Sequence, residues 1–249
     1  MIYQGSKARL VKYIVPILQN CIDERQVETY IEPFVGGANV IDHIKCKSRI
    51  GTDNNKELIG LLKYMQNNPK LDIFPDNCTF EHYADVRENR KYHTGKYSEV
   101  YTAGIGYFAS YGGRYFDGGY GRDKTGKRNI YAERLSYARE QAPLLRDITF
   151  SCEDYSHFIG VENAVFYLDP PYRNTKVYNS KAGFNYEEFY DFVRELAKHN
   201  YVFISEYSMP KDFKSIWKME RKVYQKSDRQ QAETATENLF IYDLWSKYE

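Results

Sequence analysis

Apolar residues recur at helical spacing near the start of the chain. Leu10, Ile14, Ile17, Leu18 and Ile22 form one stripe, which predicts a helix over about 6–22 with Ser6 as its N-cap. The pattern then shortens. Residues 29–31 read as a strand, EPFVGGANVIDHI as a glycine turn (Gly36, Gly37) leading into a helix start, and SRIGTDNN as a strand ending at Asp53. A helix over about 56–66 follows, closed by NNPK.

The middle of the chain reads differently. Between Gly104 and Gly126 eight glycines alternate with Tyr107, Phe108, Tyr111, Tyr115, Phe116 and Tyr120. That is too aromatic for a flexible linker and too glycine-rich for a plain core helix, so a β-rich or mixed insert is expected. Strand and helix patterns then return. DITFSCEDY predicts a strand ending near Asp154, and NAVFYLDPPY a strand ending at the DPPY corner. FNYEEFYDFVRELAKHN predicts a helix with Asn185 and Glu188 as a capping box, YVFISEY a strand, and WKMERKVY with NLFIYDLW a closing pair. Repeated strand-then-helix units argue for an α/β fold, a doubly wound and mostly parallel open sheet. Ligands of such sheets bind beyond the carboxyl ends of the strands, where residues 32–37, Asp53, Asp154 and Asp169 to Tyr172 all fall.

Composition narrows the picture only locally. The formal charge is +1, so the whole-molecule field selects no partner. Between Arg90 and Arg139, however, ten Lys/Arg face four Asp/Glu, a surplus of six that a polyanion would meet. Aromatics reach 16%, with 25 Tyr against 14 Phe, which suggests many half-buried rings. Cys21, Cys46, Cys78 and Cys152 contain no CxxC pair and read as reduced thiols. Cys78 and His82 make only half of a metal motif, and no metal is expected. MIYQGSKARL lacks a signal-peptide core and no run approaches the ~20 apolar residues of a membrane span, so a soluble, cytoplasmic protein is expected.

Two motifs carry chemistry. In EPFVGG a strand ends in a glycine turn that lets a ligand approach the backbone. An acidic residue roughly twenty positions on, here Asp53, is the arrangement that holds ribose hydroxyls, so the pair suggests a nucleoside-containing cofactor. LDPPY suits an amino group on a heteroaromatic ring. Such a nitrogen is a poor nucleophile because its lone pair is delocalised, and two hydrogen-bond acceptors on its N–H groups free that pair. Ionised Asp169 can accept one and the Pro170 carbonyl the other, with Pro170 and Pro171 fixing the backbone. Tyr172 offers a stacking face worth ~1–3 kcal/mol.

DPPY, EPFVGG and the N-terminal YQGSK together resemble the Dam-like (D12 class) S-adenosylmethionine-dependent DNA N6-adenine methyltransferases, over nearly the whole chain and in that family's order. The resemblance implies a Rossmann-like class I methyltransferase core over 1–57 and 147–249, interrupted by a DNA target-recognition insert over 58–146. It assigns S-adenosylmethionine to Tyr3, Lys7, Glu32, Pro33, Phe34, Gly36, Gly37, Asp53, Asp154, Tyr155 and Asp169, with Asp53 on the ribose and Asp154 with Tyr155 on the cofactor's adenine. Tyr3 stands where relatives often carry tryptophan. The insert would supply Arg114, Tyr115, Tyr120 and Arg122 for reading bases or wedging the duplex, and Lys124, Lys127 and Arg128 for phosphates. Tyr178 would fold over a flipped adenine. The expected partner is double-stranded DNA, the expected state a monomer or weak dimer in a bacterial or phage-infected cell. Relatives often read GATC, and GGRYFDGGYGRD resembles their reading hairpin loosely. Cytosine N4, RNA adenine, a protein glutamine and a catalytically idle DNA-binding module are the alternatives. Asp169 at the first motif position favours adenine over cytosine and glutamine.

Overall fold

The computed structural model describes residues 1–173, 183–224 and 232–242. Its strands are β1 (Thr29–Glu32), β2 (Ser48–Thr52), β3 (Ile148–Ser151), β4 (Ala164–Leu168), β5 (Tyr201–Glu206), β6 (Phe213–Tyr224) and β7 (Ala232–Tyr242). They form one mostly parallel sheet in the order β3-β2-β1-β4-β5-β7-β6, as expected of the Rossmann-like class. The chain divides into two compact units. One comprises 1–15, 35–44 and 49–153, the other 16–34, 45–48 and 154–249.

In the second unit β4 lies parallel to β1 and to β5, with Ile31 opposite Phe166 and Leu168 opposite Ile204. All five residues of β4 are buried, which explains why AVFYL is a continuous apolar run and not an alternating one. From β1 the chain departs toward lower strand positions and from β4 toward β5, so the order reverses between these two strands. Such a switch point opens a crevice beyond their carboxyl ends. β7 then pairs antiparallel with β5, and β6 with β7. Helix α6 (Tyr186–Leu196) is capped by Asn185, whose side chain accepts from the Glu188 N–H as the sequence predicts.

The first unit holds the parallel pair β2–β3 and the helices α2 (Lys56–Asn67), α3 (Phe80–Tyr92), α4 (Glu99–Ala109) and α5 (Ile130–Gln141). Asn55, Thr79, Ser98 and Asn129 cap them, each accepting a backbone N–H three residues on.

Four expectations are corrected. The first helix, α1 (Val11–Arg25), starts five residues later than predicted. Ser6 instead caps a tight turn, its hydroxyl accepting from the Ala8 N–H while Leu10 N–H returns to the Lys7 carbonyl. After the glycine turn only a short 3-10 turn forms, Ile41–His43. β3 ends at Ser151, and Asp154 lies beyond it as the cap of the 3-10 turn Tyr155–Phe158. The stretch 58–146, expected to be a β-rich or mixed insert, is helical. Among the described residues its strand pairing is a single bridge, Ser110 to Tyr120. Gly104 and Gly106 lie on the buried helix α4 because neighbours press against it. A Cβ on Gly104 would sit 2.1 Å from the Phe74 ring, and one on Gly106 2.6 Å from the Tyr115 ring.

Candidate functional site

The glycine motif is divided between the units, Glu32, Pro33 and Phe34 in one and Gly36 and Gly37 in the other. In the first unit Gly36 takes φ +48, a left-handed conformation, and its N–H donates to Asp53 Oδ2 at 3.2 Å. The Tyr3 ring covers it so closely that a Cβ there would lie 3.1 Å from the ring. A Cβ on Gly37 would meet the Met1 carbonyl oxygen at 2.8 Å. Asp53 Oδ1 accepts the Asn55 N–H at 3.0 Å, so one backbone donor aims each oxygen. Burial raises this carboxyl from 3.8 to about 6, against the pull of those two N–H groups. Asn55 is itself fixed twice. Its Oδ1 caps α2, and its Nδ2 donates to the buried Tyr107 hydroxyl at 3.0 Å. Burial pushes the Tyr107 phenol well up. Its ring lies 5.9 Å from Tyr3 and stacks at 4.7 Å on Tyr115. Lys7 is buried, its Nζ donating to the Gly5 carbonyl at 3.3 Å.

In the second unit DPPY closes β4 beside the end of β1. Asp169 is half-buried, Pro170 and Tyr172 buried, and Pro171 exposed. Glu32 is buried and accepts the Tyr30 hydroxyl at 2.6 Å. Phe34 stacks on Tyr155 at 5.5 Å, and Phe184 and Phe189 meet both rings. Asp154 is exposed, with Oδ1 accepting the Ser156 N–H. The Tyr172 hydroxyl donates to Glu237 Oε2 at 2.8 Å, and burial, then the charge of Asp169, raises the phenol's pKa far above its ordinary value. The Arg173 N–H donates to Glu206 Oε2 at 3.1 Å, and the Tyr186 hydroxyl to the Pro171 carbonyl at 2.9 Å.

Of the residues expected at DNA, Arg122, Lys124, Lys127 and Arg128 are exposed and Arg114 is half-exposed. Arg122 lies over Phe80 at 4.7 Å and Tyr120 at 5.5 Å, and Tyr120 anchors to the Cys78 carbonyl. Arg128 Nε donates to Glu133 at 2.8 Å. Tyr115 sits otherwise than a wedge requires. It is buried between Tyr107 and Arg90, whose guanidinium lies 4.6 Å from its ring. Tyr115 and Phe116 both take positive φ, +27 and +63, in a turn pinned where Phe116 N–H meets Ser110 Oγ at 2.8 Å. Tyr178 lies outside the described residues. At the half-motif, His82 Nε2 bonds the Tyr101 hydroxyl at 2.8 Å, and no metal-binding cluster occurs among the described residues.

Sequence reasoning missed Asn55, Tyr107, Glu206 and Glu237. Asn55 carried a signal, a capping residue two positions after Asp53. The other three gave none, because their partners come from remote segments.

Residues 3–231 match the family described as D12 class N6 adenine-specific DNA methyltransferase. The chain is 26% identical over 219 residues to Type II methyltransferase M.MjaIII of Methanocaldococcus jannaschii, covering 76% of this chain and 73% of that one. It is 26% identical to Type II methyltransferase M.FokI of Planomicrobium okeanokoites over 188 residues, and 26% identical to Modification methylase StsI of Streptococcus sanguinis over 204. Those matches cover 68% and 74% of this chain but span only 28% and 30% of the relatives' length. Among solved structures, the rRNA methyltransferase aviRa from Streptomyces viridochromogenes aligns over 99% of this chain and 90% of that one, at 12% identity and a TM-score of 0.41.

Proposed function

The chain belongs to the D12 class N6 adenine-specific DNA methyltransferases, and from that premise we propose that it methylates N6 of a flipped-out adenine in double-stranded DNA. The observation that carries the proposal is the DPPY corner at the carboxyl end of β4, beside EPF at the end of β1, where the strand order reverses.

The residues fit S-adenosylmethionine. The glycine turn at Gly36 and Gly37 has no room for side chains, Asp53 presents a carboxylate aimed by two backbone donors, and Phe34 and Tyr155 present aromatic faces. Asp53 would hold the ribose hydroxyls, Phe34 with Tyr155 and Asp154 the cofactor's adenine, and Lys7 the methionine end, with Tyr3, Glu32 and Pro33 as further cofactor contacts. When bound, the cofactor supplies an electrophilic methyl group on a sulfonium sulfur. The rest of the chemistry falls to the corner. Asp169 and the Pro170 carbonyl accept the two N6 hydrogens, which draws the nitrogen toward tetrahedral geometry and frees its lone pair. Tyr172 stacks the base, and one N6 proton leaves after transfer. Positioning and acceptor electrostatics supply the rate.

Within 58–146, Arg114 and Arg122 are proposed to read bases, and Lys124, Lys127 and Arg128 to meet phosphates.

Purified protein with labelled S-adenosylmethionine should label adenine in duplex DNA. Single-molecule sequencing of DNA from a host expressing the chain would report base and context together, with GATC the first motif to examine. Asp169→Ala should reduce turnover at least a hundredfold while the protein stays folded. Label in cytosine, or a fully active Asp169→Ala variant, would overturn this reading.

A further inference from the structure

The DPPY corner is tethered at two points to strands that follow it in the chain. β5 ends at Glu206, whose carboxylate accepts the N–H of Arg173, immediately after the motif, at 3.1 Å, and that of Tyr207 at 2.7 Å. From β7, Glu237 accepts the Tyr172 hydroxyl at 2.8 Å. Both carboxylates are buried, at 1% exposure each, next to the buried polar side chains of Ser205 on β5 and Asn238 on β7. Glu206 pairs with Asn238, so strand alternation puts Glu206 and Glu237 on opposite faces of the sheet. One tether holds the backbone, the other the ring.

A buried carboxylate costs desolvation, and an apolar residue would fill β7 at less expense. The Tyr172 ring has more freedom than the backbone of two prolines, since its χ angles are not covalently fixed. Tyr207 meets it edge-on at 4.6 Å, which limits one side of the ring, and the hydroxyl bond fixes its far end.

We propose that Glu237 is a positioning residue for methyl transfer. It acts through the Tyr172 hydroxyl to hold the phenol ring in the orientation that stacks the target base. The proposal rests on the adenine-methyltransferase reading above and adds a residue more than sixty positions away from the motif it serves.

The test is a double-mutant cycle on the full chain. Tyr172→Phe and Glu237→Ala should each lower kcat about tenfold with KM for S-adenosylmethionine changed less than twofold. The double variant should be no slower than the slower single. Glu237→Gln keeps an acceptor and should stay within threefold of wild type. Multiplying losses, about a hundredfold in the double variant, would mean that Glu237 acts elsewhere and would overturn the proposal, as would wild-type kcat in either single or a Glu237→Gln variant as slow as Glu237→Ala.

A readout independent of turnover is the ring-carbon resonance of labelled Tyr172, assigned by its loss in Tyr172→Phe. Glu237→Ala should shift it and Glu237→Gln should largely restore it. If wild type methylates no DNA, the activity reading fails, and the resonance alone judges the tether. An unmoved resonance in Glu237→Ala overturns it. Should Glu237→Ala not fold, Glu237→Gln combined with Tyr172→Phe completes the cycle, and a loss beyond that of Tyr172→Phe overturns the proposal.

Discussion

Asp53 holds its charge against desolvation. Its carboxyl is raised from 3.8 to about 6, so between those values the folded chain binds a proton that the unfolded chain has released. The free protein therefore loses stability as pH rises through that window, by at most ~3 kcal/mol, and by no more above it. With Asp53 on the ribose, as proposed, cofactor binding should run the opposite way, because ribose hydroxyls would donate to the ionised form. Affinity for S-adenosylhomocysteine should rise as pH passes 6 and then level, and calorimetric titration from about pH 5 to about pH 8 measures it. A pH-independent affinity would remove Asp53 from the ribose. Tyr107→Phe tests the residue behind it. Asn55 then loses a hydrogen-bond acceptor, a cost of ~1 kcal/mol, so KM for the cofactor should rise about fivefold at little change in kcat. The placement of Asp53, Gly36 and Asp169 was legible in the sequence because each stands at a strand end or turn that its own neighbours define. Tyr107 was not, since nothing near it in the chain predicts Asn55, and β7 brings Glu237 to Tyr172 only once the sheet is assembled.

Helix α4 explains why glycine density misled the reading of the insert. Glycine costs a helix ~1 kcal/mol relative to alanine when nothing touches it. Gly104 and Gly106 instead admit rings where a side chain would stand, so the element is a core helix despite its composition. Two substitutions separate these effects. Gly60, on α2, has nothing within 4 Å of a built Cβ, so Gly60→Ala should stabilise the protein by up to ~1 kcal/mol. Gly106→Ala gains the same propensity but puts a Cβ 2.6 Å from Tyr115 and 2.7 Å from Phe116, rings fixed by a positive-φ turn that cannot yield cheaply. Overpacking of ~1–3 kcal/mol should prevail, lowering Tm by several degrees. Paired thermal melts decide the matter, and a Tm raised by both substitutions would mean that the turn holding Tyr115 is soft. Helices α2 and α6 were legible because their apolar stripes are local, and the parallel strands because apolar runs end at polar motifs. Helices α3 and α5 were not predicted, their buried faces including the polar Asn89, Arg134 and Gln141. The closing strands were legible as a pair. Their order was not, because the passage of β7 between β5 and β6 depends on which edge is left unpaired.

Across the whole molecule charge is almost balanced, +1 over 249 residues, yet the stretch from Arg90 to Arg139 carries a surplus of six positive charges. If that stretch meets DNA as proposed, affinity should be strongly salt-dependent, since each phosphate contact releases a counterion and contributes about −0.9 to the slope of log K against log salt. The exposed cations there are not equivalent. Arg128 is bonded to Glu133, which offsets its charge, whereas no ion pair is recorded for Lys124 or Lys127 among the described residues. Arg122 lies over Phe80 and Tyr120, which directs a guanidinium better suited to a base edge than to a passing phosphate. Lys124→Ala and Lys127→Ala should each weaken binding to all duplexes alike and lower the magnitude of the salt slope by about one. Arg122→Ala should leave the slope within about one and relax discrimination between the preferred site and a single-base variant by about tenfold, as ~1–3 kcal/mol per base contact implies. Fluorescence anisotropy at several salt concentrations, with matched and mismatched duplexes, measures both. Lysine variants that changed sequence preference, or an Arg122 variant that weakened every duplex equally, would reverse the assignment of readers and anchors within the basic stretch.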